Sequence, residues 1–299
     1  MPSAVANPGS KAAIRSMYAS DSWKTGDDMA LTLSGQICEA QRVDSPQPRK
    51  RALITGASSG IGEEFALHYA ELGYDVVLAA RNEPELKRVA TACRLLGIEA
   101  QTMVVDLSAS SGVDRLGSAC SDVDILVANA GVTHAAIIGK SNLDRLDELT
   151  YLMATGVVRL CELVVPRMLQ RGSGDVVIVS SIAAFTPMRK SGPYAASKSY
   201  ATAYARSLAL EVADRGVRVV VVCPGYVRTK LHQRAGLDHL PQRVPRWMWT
   251  STHEVVRSAQ RALARGKTVV IPGRIYRLTA PFLSSSLAQG VWRRLTRRA

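Results

Sequence analysis

Aromatic residues are scarce, 5% of 299 positions, and cysteine is scarcer still. The 5 cysteines, Cys38, Cys93, Cys120, Cys161 and Cys223, are odd in number and far apart, with no Cys-x-x-Cys pair. That spacing argues against a zinc site and against a disulfide framework, so no metal is expected, and reduced, mostly buried thiols in a cytoplasmic protein are. No uninterrupted apolar run reaches the 18 residues that a membrane-spanning helix needs. The most apolar stretch, residues 217–223, is broken by Arg218 and bounded by Pro224-Gly225, which reads as a buried strand. The beginning of the chain lacks the charged-then-apolar pattern of a signal peptide, and a soluble chain is expected. Acid is missing locally: residues 272–299 hold six arginines and no Asp or Glu, within a net charge of +13. A second basic cluster, Arg228, Lys230, Arg234, Arg243 and Arg246, meets Asp238 alone. Neither region has the interleaved aromatics of a stacking nucleic-acid platform, so nucleic acid is not expected as a partner. The basic, amphipathic tail at 274–299 leaves open a solvated terminus, a cover for the active-site mouth, docking on another subunit, or peripheral contact with anionic lipid.

What is present is the composition of a globular protein, 47% hydrophobic and 21% charged. Residues 1–48 show no sustained period and end in the turn-rich Asp44-Ser-Pro-Gln-Pro48, so they read as an N-terminal extension with little order. From residue 52 short β-branched runs (52–55, 75–80, 101–105, 125–128, 176–179, 217–222, 268–271) alternate with helical patterns near 61–72, 84–96, 110–119, 143–170, 192–215 and 253–264. Several runs are apolar without alternation, as expected when helices cover both faces of a parallel sheet. The pattern predicts an α/β, Rossmann-like, doubly wound parallel sheet of about seven strands, with the main domain at 49–273. Ligands in such folds bind beyond the carboxyl ends of the strands, so the loops there are the place to look for chemistry.

The first of these loops is Thr55-Gly-Ala-Ser-Ser-Gly-Ile-Gly62, between a strand and a helix. Glycine lets the backbone turn tightly and approach a pyrophosphate, whose charge a helix N-terminus favours. Gly56, Ser58, Ser59, Gly60, Ile61 and Gly62 are therefore candidate cofactor contacts. The spacing Gly-x3-Gly-x-Gly departs from the commonest dinucleotide fingerprint, and a plain tight turn is the alternative. The second strand ends Leu78-Ala-Ala-Arg81. Where an NAD site would place a carboxylate, Arg81 follows Ala80, and a guanidinium suits a 2′-phosphate, which favours NADP(H). Arg81 as a solvated strand-end residue is the competing reading.

Ser180-Ser181 ends a later strand, and Tyr194-Ala-Ala-Ser-Lys198 places a phenol and an ammonium on one helix face. A fixed ammonium beside a phenol favours phenolate and lowers the phenol's pKa toward neutrality. Such a tyrosine can exchange a proton with a carbonyl or alcohol oxygen, and a serine hydroxyl can bond the same oxygen. Taken alone, Tyr-x-x-x-Lys is also an ordinary helix pair.

In order, Thr55–Gly62, Asp106-Leu107, Asn129-Ala130-Gly131, Ser181, Tyr194-x-x-x-Lys198 and Pro224-Gly225 resemble the short-chain dehydrogenase/reductase family, in its compact single-domain type. The resemblance implies that Ser181, Tyr194 and Lys198 are catalytic. Ser181 would orient a carbonyl, Tyr194 act as general acid/base, and Lys198 hold the nicotinamide ribose. It also implies that Asp106 and Leu107 meet the adenine and that Asn129, Ala130 and Gly131 line the cofactor site. Pro224 and Gly225 would shape the nicotinamide pocket, with Val227 and Thr229 at the carboxamide. Homodimers or homotetramers built through the long helices are a further expectation from the family.

One residue departs from the family's pattern. Where many members carry an Asn that holds a proton-relaying water, Met153 stands here, and a thioether cannot donate a hydrogen bond. The segment expected to choose the substrate, a lid at 226–252, places Leu231, Leu237, Leu240, Trp247, Met248 and Trp249 among basic residues. The expected function is an NADP(H)-dependent oxidoreductase interconverting a carbonyl and an alcohol on an apolar small molecule. The alternative is a cofactor-binding regulatory or scaffold protein whose chemistry Met153 has impaired. A cytoplasmic location, with membrane association left open, accompanies either reading.

Overall fold

The apolar runs and the helical patterns between them assemble into one parallel sheet, seen in a computed structural model that describes residues 49–186, 189–229 and 244–283. The extension at 1–48, most of the lid (230–243) and the tail beyond 283 lie outside the described residues. The strands are β1 (Arg51–Thr55), β2 (Asp75–Ala80), β3 (Ala100–Val104), β4 (Ile125–Ala128), β5 (Gly174–Val179), β6 (Val217–Val222) and β9 (Val269–Val270). Their seven-stranded order is β3-β2-β1-β4-β5-β6-β9, and every pairing is parallel. Strand order reverses between β1 and β4, so the loops leaving these two strands open a crevice at the carboxyl edge.

Successive residues of a strand point to opposite faces, which divides the core in two. Ala52, Ile54, Val76 and Leu78 pack with helices α1 (Gly60–Glu71), α2 (Glu83–Arg94) and α7 (Thr252–Ala264). Leu53, Val77, Leu126 and Ile178 pack on the other face with α3 (Ser110–Ala119), α5 (Thr155–Arg171) and α6 (Gly192–Val212). Both faces of the central strands are therefore buried, which is why β4 reads Ile-Leu-Val-Ala with no polar residue. The cysteines Cys93, Cys120, Cys161 and Cys223 are free and buried.

The structure corrects the sequence pattern in three places. The helix expected over 143–170 is two helices, α4 (Leu143–Met153) and α5, broken at Ala154, whose φ and ψ are −121° and −89°. The bend brings the Tyr151 carbonyl so close to Gly156 that a Cβ there would stand 2.8 Å from its oxygen. Among the described residues, Leu143–Arg171 alone is long and apolar enough to cross a membrane, and half of its apolar window is buried inside the fold. The second correction concerns the tail, whose first part, Arg274–Leu283, forms a helix, α8, anchored by buried Tyr276. The third is a pair of two-residue strands, β7 (Tyr226–Val227) and β8 (Trp249–Thr250), that pair in parallel and draw the two ends of the lid together. Strands so short carry no period, so only their tertiary pairing defines them.

Candidate active site

At the cofactor end, Gly56 and Gly60 both adopt the left-handed region (φ +65° and +64°), where a side chain would be strained. A Cβ on Gly56 would also lie 2.9 Å from both Ala130 Cα and Asn129 Nδ2. Thr55 is the hub that joins the first loop to the Asn129-Ala-Gly131 turn. Its Oγ1 donates to the Val127 carbonyl (3.2 Å) and accepts from the amides of Asn129 (2.9 Å) and Ala130 (3.0 Å). Asn129 Nδ2 returns bonds to the carbonyls of Thr55 (2.9 Å) and Gly56 (3.3 Å). Asn129 thus braces the glycine turn.

Helices α2, α4 and α7 begin on side-chain caps from Asn82, Asn142 and Ser251. At the crevice, Ser59 opens α1 with extended backbone and no side-chain cap bond. The first amides of α1, like those of the helices 110–119, 155–171 and 192–212, have no side-chain cap, and at the crevice this leaves them open to an anion. Ser58 is buried within the turn, and Ile61 packs against the apolar cluster beneath α1. Thr229 lies beside the same turn, its Cγ2 2.9 Å from where a Cβ on Gly60 would stand.

Arg81 leaves β2 half-exposed, with Nη1 3.7 Å from Asp106 Oδ2. Burial works against ionisation of Asp106, but hydrogen bonds from the Ser108 amide (2.9 Å) and hydroxyl (2.8 Å), together with Arg81, hold its carboxyl below its ordinary value. Gly112 makes room for this corner, since a Cβ there would collide with the Asp106 carbonyl. Leu107 is buried and lines an apolar cavity with Thr55, Ala128, Ala130 and Leu152.

The catalytic candidates meet where β5, α6 and β6 converge. Ser181 caps the short 3-10 turn Ile182–Phe185, its Oγ accepting from the Ala183 amide (3.1 Å) and approaching the Pro224 carbonyl (3.5 Å). The Ile182 amide donates to that same carbonyl (2.9 Å), tying the serine turn to Pro224-Gly225. Buried Lys198, 5% exposed, donates from Nζ to the Val179 carbonyl (2.9 Å). Its ammonium lies over the Tyr194 ring, 5.8 Å from the centroid. It lies also 3.7 Å from where a Cβ on Gly131 would stand.

The electrostatics differ from the sequence expectation. Burial pushes the Tyr194 phenol above its ordinary value, and a hydrogen bond with the Ser181 hydroxyl opposes this without reversing it. The helical spacing places the Lys198 ammonium over the ring face. Burial also lowers Lys198 to about 8, with nearby Cys223 acting in the other direction.

Two features of the site have no sequence signature. Buried Ser180 bonds the Lys198 carbonyl (2.9 Å) and the Thr202 hydroxyl (2.8 Å), locking α6 to the end of β5. Thr55 opens the glycine loop in the sequence, but nothing there shows its bonds to residues 127–130. Val227 turns its side chain into the apolar core beside the glycine helix. Met153 is buried, with its thioether 3.3 Å from the Cβ position of Gly131, close to Lys198.

Residues 50–239, more than half of the chain, match the family model of the short chain dehydrogenases. The chain belongs to the short-chain dehydrogenase/reductase family. It is 34% identical over 215 residues to a dehydrogenase/reductase SDR family protein 7-like of Drosophila melanogaster, covering 69% of this chain and 66% of that one. It is 30% identical over 225 residues to an uncharacterised oxidoreductase of Myxococcus xanthus, covering 74% and 86% of the two chains. Among solved structures, a short-chain dehydrogenase of Sphingobium yanoikuyae in complex with NADPH superposes with a TM-score of 0.71 at 29% identity, covering 82% of this chain and 95% of that one. A bulky-bulky ketone specific alcohol dehydrogenase of Comamonas testosteroni superposes with a TM-score of 0.67 at 26% identity, covering 76% and 87%. Within this oxidoreductase family a nicotinamide dinucleotide is the cofactor to weigh. The uncapped end of α1, the two left-handed glycines and the basic Arg81 form a cradle that fits one.

Proposed function

We propose that this protein is an NADP(H)-dependent oxidoreductase that interconverts a carbonyl and a secondary alcohol on an apolar small molecule. The observation that carries the reading is the meeting of Ser181, Tyr194 and Lys198 with Gly131 and Pro224-Gly225, on the sheet edge where the glycine turn opens. In reduction, Ser181 Oγ–H donates to the carbonyl oxygen and Tyr194 Oη–H transfers its proton there; in oxidation Tyr194, having first given up its own proton, receives the alcohol's proton at Oη. A phenol held above its ordinary pKa is protonated at neutral pH, which equips Tyr194 as the acid of the reductive direction. Lys198, mostly cationic at pH 7, would bind the nicotinamide ribose hydroxyls from its anchored position. When bound, the nicotinamide supplies or accepts the hydride.

Arg81 supports the choice of NADP(H). Its exposed guanidinium keeps donors for a 2′-phosphate, and an ion pair this exposed costs little to rearrange. Apolar substrate chemistry is supported by Trp247, Met248 and Trp249 at the lid's far end, and homo-oligomers by exposed Leu143 on α4 and Tyr200 and Leu210 on α6. Exposed Trp247 and Leu278 (63% and 73%), near Arg246, Arg274 and Arg277, support contact with an anionic lipid surface.

The test is a titration with NADPH and NADH followed by nicotinamide fluorescence, on the parent and on Arg81→Ala. Preference for NADPH that Arg81→Ala removes is expected; equal losses for both dinucleotides would refute the role of Arg81. A second reading, a dinucleotide-binding protein without turnover, draws on Met153, whose thioether fills the space beside Gly131. It expects tight NADPH binding, no ketone reduction, and turnover gained by Met153→Asn.

A further inference from the structure

Tyr276, in the helix that follows the last strand, is buried although its neighbours Arg274, Ile275, Arg277 and Leu278 are exposed. Its ring is pressed onto Gly225, where a Cβ would stand 2.2 Å from Tyr276 Cζ. No other residue than glycine leaves room for the ring there. Its hydroxyl donates to the Met248 carbonyl (2.6 Å) and accepts from the Tyr226 amide (3.3 Å). Tyr226 starts the lid and Met248 lies near its end, so one hydroxyl bridges positions 22 residues apart in sequence. The β7–β8 pairing closes the same neck from beside it, with the Tyr226 and Trp249 rings 5.6 Å apart. Gly225 is also one residue from Pro224, whose carbonyl is held by the serine turn. Ring and hydroxyl therefore connect α8, both ends of the lid and the turn that supports Ser181.

We infer that Tyr276 is a positioning residue for the substrate: it latches the neck of the lid, and α8 is thereby part of the substrate compartment. The inference rests on the proposed oxidoreductase reading for its kinetic consequence, while the latch itself rests on geometry alone. Tyr276→Phe keeps the ring on Gly225 and removes only the hydroxyl, so the fold is retained.

Amide hydrogen exchange, with NADPH bound, is measured over 225–229 and 244–250 in the parent and in Tyr276→Phe. Exchange in each of these two segments is expected to rise by about 5- to 10-fold, the size of the one neutral hydrogen bond each loses, while β1, β4 and β5 keep their protection. In NADPH-dependent reduction of a panel of aryl and steroidal ketones, KM is expected to rise several-fold, with kcat and NADPH affinity changed by less than about twofold. Unchanged exchange in both segments overturns the latch, as does a rise spread over the whole sheet. A drop in kcat at constant KM overturns the role in substrate positioning. If the parent reduces none of the ketones, the oxidoreductase reading fails, and the exchange arm still decides the latch.

Discussion

Thr55→Val removes the hydroxyl that joins the two cofactor loops while keeping shape and volume almost unchanged. Thr55 is 2% exposed, and its Oγ1 serves three groups: the Val127 carbonyl at 3.2 Å and the Asn129 and Ala130 amides at 2.9 and 3.0 Å. In the valine variant the two amides lose their acceptor, and stranding a buried polar group costs about 1–3 kcal/mol each. Both amides are only part-buried, so the lower half of that range applies, and the carbonyl bond is long; the sum is about 3 kcal/mol. For a domain of this size that corresponds to a fall in Tm of about 6–12 °C. Thr55→Ser keeps the hydroxyl and loses one methyl, at a cost of about 1 kcal/mol. Urea unfolding of the three proteins, monitored by far-UV circular dichroism, checks the difference. Serine and valine variants of equal stability would refute the hub, because losing the hydroxyl would then cost no more than losing a methyl.

Other outcomes follow from the same geometry. Lys198 has a folded pKa of about 8, below the value near 10.5 of the unfolded chain, so the unfolded state binds more protons between these limits. Parent stability relative to Lys198→Met is therefore expected to increase as pH rises from 8 toward 10.5, by at most about 1.4 kcal/mol per unit. A flat difference across that window would contradict a charge held at a cost in the core. Liposomes containing phosphatidylserine are expected to co-sediment the protein at low salt and to release it at high salt. Trp247→Ser with Leu278→Ser is expected to weaken the association, and binding insensitive to both changes would exclude contact through these two residues.

The sheet was legible because burial on both faces leaves runs such as Ile125-Leu-Val-Ala128 without a polar residue, a signal that needs no tertiary context. The glycine turn was legible for a related reason: positive φ at Gly56 and Gly60 restricts the residue type itself. The break at Ala154 was not, because Met153-Ala154-Thr155 holds no Pro or Gly to break a helix; the close approach of the Tyr151 carbonyl to Gly156 accompanies it. Tyr276 was equally hidden. Its meaning depends on Gly225 and Met248, 51 and 28 residues earlier, and within an arginine-rich tail it reads as one aromatic among several apolar residues. The pairing of Tyr194 with Lys198 was visible from helical spacing, yet spacing cannot show that the ammonium lies over the ring face and is anchored to the Val179 carbonyl.

The proposed function stands on proton exchange by Tyr194 in an NADP(H)-dependent carbonyl reduction. Turnover of NADPH with the ketone panel, measured for the parent and Tyr194→Phe beside NADPH affinity for each, tests it most directly. Tyr194→Phe is expected to lose about a hundred- to ten-thousand-fold in kcat while binding NADPH as the parent does. A phenylalanine variant that turns over at the parent's rate would contradict it.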